Sequence, residues 1–203
     1  MKSLSEIETI SKRSTRAAGF SWGIAEEVGK NIRILELFGL GGIINLNYYF
    51  RVKNKKKYEK LHLISSENKI SKSEFCPILA GLSFLDQVRS LEDLKEIKLE
   101  KLAFPILFLP FVSRASEIIG KKLELKIDSR TFLLNYNNSI YSDSLNVGVV
   151  EIGNNISIKF KENQDSFGEE VWKELYKLSE NTFVEETDSL KEGGAGAGLT
   201  DND

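Results

Sequence analysis

Apolar positions in the first half of the chain recur at helical spacing, and those in the second half alternate as strands do. Ser3-Leu-Ser-Glu6 reads as a capping box, followed by Leu4, Ile7, Ser11, Ser14 and Ala18 on one helical stripe. That stripe passes from large to small side chains, which suits a close helix crossing. Gly19 is a stop, and Ser21 caps a second helix over residues 22–38 that ends near Gly39. Residues 40–50 fit a third helix, weakened by Gly41-Gly42. Past the basic run 51–60, residues 61–65 read as a short strand or loop and residues 65–73 as a polar loop. A further helix begins with Pro77 in its first turn. Residues 91–102 alternate charged and apolar side chains and fit a helix or an exposed connection.

The period then changes. Residues 103–109 are expected to form a buried strand, and Pro110 to start a short helix that runs through Ile119 and stops at Gly120. Strands are expected at residues 123–127, 131–136, 147–152 and 156–160, with Gly153-Asn-Asn155 as the hairpin turn between the last two. Consecutive strands at turn-length gaps imply an antiparallel meander. A last amphipathic helix over residues 169–179 presents Val171, Trp172, Leu175 and Leu178 to that sheet. The fold class is α+β. Residues 1–192 read as one compact domain, helical to about residue 102 and sheet-forming over about 103–180. A Gly-rich acidic tail, 193–203, follows. No internal repeat is visible.

Composition narrows the function classes. The 203 residues hold 41% hydrophobic and 29% charged side chains, ordinary values for a folded globular protein. A net charge of −2 argues against a nucleic-acid binder, which usually carries a basic excess. One cysteine and one histidine leave no internal disulfide and no soft-metal site within the chain. The N-terminal residues carry no apolar secretory core, and the greasiest stretch, 103–112, is far short of the roughly 20 apolar residues a membrane span needs. A cytoplasmic location is expected.

The run Ala17-Ala-Gly-Phe-Ser-Trp-Gly-Ile-Ala-Glu-Glu-Val-Gly29, preceded by Glu6-Ile-Glu8, resembles the N-terminal signature of an uncharacterised bacterial family of unknown function. The closing Gly-Ala-Gly-Ala-Gly-Leu-Thr-Asp-Asn-Asp203 resembles that family's terminal segment, and Cys76-Pro-Ile-Leu-Ala-Gly81 and Leu109-Pro-Phe111 fit loosely between. The resemblance implies that the tail belongs to the natural protein. It implies no activity.

On helix two, Ile24, Ala25, Val28, Ile32 and Leu35 form an apolar face, while Trp22, Glu26, Gly29 and Arg33 lie on a separate narrow stripe. Gly29 costs a helix about 1 kcal/mol relative to alanine, so it needs a reason. One reason is a second helix crossing there, with Glu26 paired to Lys30 or Arg33. The other is a binding notch in which Glu26 is the polar anchor. Cys76, ahead of Pro77 at a helix start, is a candidate nucleophile if the helix end lowers its pKa, and otherwise a small buried residue. His62, between two leucines, is read as a satisfied histidine rather than a general base. Arg114 pairs with Glu117 on its own helix or binds an anion. The run 51–60 carries six basic residues and one acid around Tyr58 and can meet nucleic acid or an acidic partner.

The tail is not a dinucleotide fingerprint, because no helix and second strand follow its glycines. It divides into a Gly193–Gly198 arm and a tip of Leu199, Thr200, Asp201 and Asp203. The favoured reading is an accessory or interaction protein whose tail engages a protein partner or a second copy, Leu199 filling a pocket and the acids meeting basic groups. The alternative is a small-molecule enzyme with a cleft near helix two, using Glu26 or Cys76 and closed by the tail. No cofactor is assigned.

Overall fold

A computed structural model describes residues 2–61, 73–91, 93–135, 139–143 and 148–183. These fall into two units, one ending at Asn163 and the other beginning at Gln164.

The first unit is α+β. Helices α1 (Leu4–Ala17), α2 (Trp22–Leu37) and α3 (Gly42–Lys53) open the chain, followed by α4 (Pro77–Leu91). Ser3 and Ser21 cap α1 and α2 as their spacing requires, their side chains accepting from the amides of Glu6 and Ile24. Of the small residues expected on the packed stripe of α1, Ser11 is buried and Ser14 is exposed; Thr15, off that stripe, is buried instead. The Gly41-Gly42 pair does not weaken α3 but seats it. A side-chain Cβ on Gly42 would lie 2.8 Å from Leu35 Cβ, so only glycine lets α3 start hard against α2.

Strand β1 (Glu96–Leu99) occupies the charged-apolar stretch that read as a helix or exposed connection. Its alternation puts Ile97 and Leu99 into the core and Lys98 outside. The next stretch, expected to be a strand through residue 109, is a strand only over β2 (Leu102–Ala103). Pro105 removes a backbone donor, and the chain turns through a 3₁₀ segment, Pro105–Leu107, into α5 (Leu109–Ile119). The expected burial is present without the strand, because Phe104, Ile106, Phe108 and Leu109 are buried whatever the backbone does. Strands β3 (Lys122–Ile127) and β4 (Arg130–Asn135) form the expected antiparallel pair, and β5 (Ser139–Ser142), which was not expected, continues it; the strand expected over 147–152 is, among its described residues, a strand only at Ile152.

The expected hairpin at Gly153-Asn-Asn155 is absent. Strand β6 (Ile152–Gly153) pairs with β2, and β7 (Ile156–Lys161) enters the main sheet between β1 and β3, giving the antiparallel order β1-β7-β3-β4-β5. Asp128 holds the chain at this point. Its carboxylate accepts from the amides of Asn154 and Asn155, each at 3.0 Å, and its own amide donates to the Asn155 carbonyl. Helix α5 covers the inner face of β3 and β4, and α4 packs on α5. Tyr49, Phe84, Phe104, Phe108, Phe111 and Phe132 fill the core. The outer sheet face is a ladder of ion pairs among Glu96, Lys98, Glu124, Lys126, Lys159 and Lys161.

The second unit contains α6 (Glu169–Ser179), at the bounds the sequence predicts, continued by a 3₁₀ turn, Glu180–Thr182. Its apolar stripe, expected to be buried, is exposed. Val171, Trp172, Leu175 and Leu178 are 51%, 52%, 59% and 65% accessible. No helix among the described residues is long and apolar enough to cross a membrane.

Candidate functional site

The helix-two stripe is a helix crossing. Placed at Gly29, a Cβ would meet the Glu8 carbonyl oxygen at 2.9 Å and Lys12 Cβ at 3.2 Å, so α1 occupies the space the missing side chain leaves. The charged residues flanking Gly29 tie the two helices together: Glu26 pairs with Lys12 at 3.5 Å and Lys30 at 3.3 Å, and Arg33 with Glu8 at 3.2 Å. Hydrogen bonding to Lys30 and the charge of Lys12 hold the exposed Glu26 carboxyl below its ordinary pKa. Trp22 is exposed, with the Arg16 guanidinium over its ring at 5.6 Å.

Arg114 does not pair with Glu117. It reaches back to α2 and binds Glu27, which also takes Lys30 at 3.2 Å. Burial pushes the Glu27 pKa up, but hydrogen bonds and charge from Arg114 and Lys30 outweigh it, so the carboxyl stays below its ordinary value. A position 87 residues away in sequence supplies this partner, which the helical spacing of Arg114 and Glu117 cannot reveal.

Cys76 immediately precedes α4. It is buried, and its thiol lies 3.1 Å from the Tyr49 hydroxyl. Burial raises its pKa, with the Tyr49 hydroxyl and the Leu79 and Ile78 amides acting in the opposite direction. A thiol held neutral at neutral pH is a poor attacking group. Tyr49 is likewise pushed up by burial and by Cys76, and burial with the charge of Glu74 takes Tyr58 up to about 12.

Around this buried pair the structure assembles a cleft of about 430 Å³ that the sequence did not indicate as a unit. Phe20 and Ser21 come from the turn before α2 and Ile24 from its first turn, Tyr49 and Lys53 from α3, and Lys56, Lys57, Tyr58 and Lys60 from the basic run. Cys76 and Leu79 come from the start of α4. The floor is apolar and aromatic, Tyr49 and Tyr58 stacking at 5.5 Å. The rim is cationic. Lys53 donates to the Ala18 carbonyl at 2.6 Å and sits over Phe20, and Lys56 pairs with Glu74 at 3.2 Å. Lys57 and Lys60 have no ion-pair partner among the described residues. The basic run was legible as charge, but the floor was not, because its residues come from separate helices. Among the described residues, no group of three or more His, Cys, Asp or Glu could hold a metal ion. His62 and the tail residues Leu199, Thr200, Asp201 and Asp203 lie outside the described residues.

Fold and site together define an α+β protein with a helical N-terminal segment and an antiparallel sheet. Residues 2–75 match the family described as "Protein of unknown function (DUF3726)", a segment that spans α1 to α3 and the basic run. The N-terminal signature lies inside that match, and the tail lies outside it. No curated protein and no solved structure matches the chain.

Proposed function

We propose that this is an accessory protein that engages another protein through its C-terminal unit. The observation that carries the reading is the exposed apolar face of α6: Val171, Trp172, Leu175 and Leu178, joined by Phe167 stacked on Trp172 at 5.6 Å. A contiguous apolar face of this kind marks a docking surface, and its i, i+4, i+7 spacing is that of a helix that lies in a groove. The polar positions of α6 and the turn after it carry Glu169, Glu170, Glu174 and Glu180 against Lys173 and Lys177. The fitting partner is a protein with an apolar groove and a basic rim. The tail supports the same partner chemistry, with Leu199 as one more anchor and Asp201 and Asp203 as acids.

The test is native co-purification of the full chain, of a Leu175→Glu variant and of a chain lacking 193–203. A stoichiometric partner that is retained by the full chain and lost from both variants supports the reading. A partner that binds the Leu175→Glu variant equally well removes α6 from it. Light scattering showing a dimer that L175E dissolves makes the partner a second copy.

A further inference from the structure

We propose that the cleft between the starts of α2 and α4 binds a small molecule that carries one anionic group, phosphate or carboxylate, on an apolar body. The site lies in the first unit and is independent of the α6 reading.

The rim supplies the anion's partners. Of its four lysines, Lys53 and Lys56 are committed to the Ala18 carbonyl and to Glu74. Lys57 and Lys60 are exposed and have no ion-pair partner among the described residues, so two cations edge the cleft outside any such pair. Glu59, in the same run, accepts from the Ser73 amide and hydroxyl, each at 3.3 Å. Two helices begin at the same cleft, α2 at Ser21–Ile24 and α4 at Cys76–Leu79, and the positive ends of their dipoles add to the field. Cations and helix starts meeting at one concavity favour a negative group over water.

The floor supplies the rest of the selectivity. Ile24, Tyr58 and Leu79 present half-buried surface to it, backed by the buried Phe20 and Tyr49. A bare inorganic ion would leave that apolar surface wet, whereas an apolar body would cover it. A volume of about 430 Å³ is enough for a metabolite-sized ligand.

The full chain is titrated calorimetrically, at low salt, with phenyl phosphate, benzoate, inorganic phosphate, phenol and a short RNA. Phenyl phosphate or benzoate is expected to bind saturably and more tightly than inorganic phosphate or phenol, and whichever of the two is preferred names the anion. A Lys57→Glu/Lys60→Glu double variant should bind about tenfold or more weakly, as expected for reversing two cations at an anion site. Its unfolding midpoint should be unchanged, since both side chains are exposed. Lys55→Glu, which alters the same run away from the cleft, should bind as the parent does. Three outcomes overturn the proposal: no saturable binding of any probe, phenol binding as well as the anions, or Lys55→Glu losing as much affinity as the double variant. Tighter binding of the RNA than of either aromatic anion, equally weakened by Lys55→Glu, would reassign the run to nucleic acid.

Discussion

Gly29 carries the helix crossing that is one of the two explanations its position in mid-helix allows. A glycine in mid-helix attracts a functional explanation, yet the Glu8 carbonyl and Lys12 Cβ occupy the space above it. Gly29→Ala should therefore destabilise the protein although alanine is the better helix former. The propensity gain of about 1 kcal/mol is outweighed by a backbone clash in the 1–3 kcal/mol range typical of overpacking. A lower urea midpoint at unchanged slope is the expected result. Cys76 is buried against the Tyr49 hydroxyl, and that burial raises its pKa. Iodoacetamide should label the native thiol more slowly than a free cysteine at neutral pH, and faster labelling would restore the nucleophile. Tyr49→Phe, which removes the hydroxyl from the pair, should cost about 0.5–1.5 kcal/mol in denaturation, the usual net value of one hydrogen bond.

At the scale of elements, the junction of α2 with α5 rests on Glu27 and Arg114. The Glu27 carboxyl titrates below its ordinary value when folded. A depressed carboxylate contributes stability that is present above its unfolded pKa of 4.5 and is lost as pH falls through the lower folded value. Glu27→Gln should thus be less stable than the parent at pH 7, and the two denaturation curves should converge as the pH is lowered past that range. The turn joining β3 to β4 rests on Asp128, whose φ of 53° is left-handed and whose carboxylate holds the Asn154 and Asn155 amides. Asp128→Ala loses both the conformation and the bonds, and should cost about 2 kcal/mol. Asp128→Gly regains only the conformation and should fall between alanine and the parent.

The whole molecule divides at residues 163 and 164, and the core cluster draws every member from the first unit. A chain truncated after Asn163 should keep cooperative unfolding near the parent midpoint, measured by circular dichroism. The second unit holds a helix with no buried residue, so on the proposed reading its apolar stripe acts in binding rather than in the core. Binding and core stability should therefore separate, L175E affecting the first and leaving the second unchanged.

Local rules carried the reading a long way. The caps at Ser3 and Ser21, the bounds of α6, Pro77 and Pro110 in the first turns of α4 and α5, and the alternation of β3 all follow from interactions within a few residues. Tertiary structure decided the rest, because those features depend on partners far away in sequence. Strand order is one case: Gly153-Asn-Asn155 has hairpin composition, but β2 and β1 compete for the flanking strands and win. The Glu27–Arg114 pair is another, and so is the cleft, whose lysines are a visible run while its floor is drawn from three helices. The sequence determines which segments are helices, which side chains can be buried and where charge accumulates. Which buried faces meet, and which apolar face is left exposed, depends on packing that no local spacing encodes.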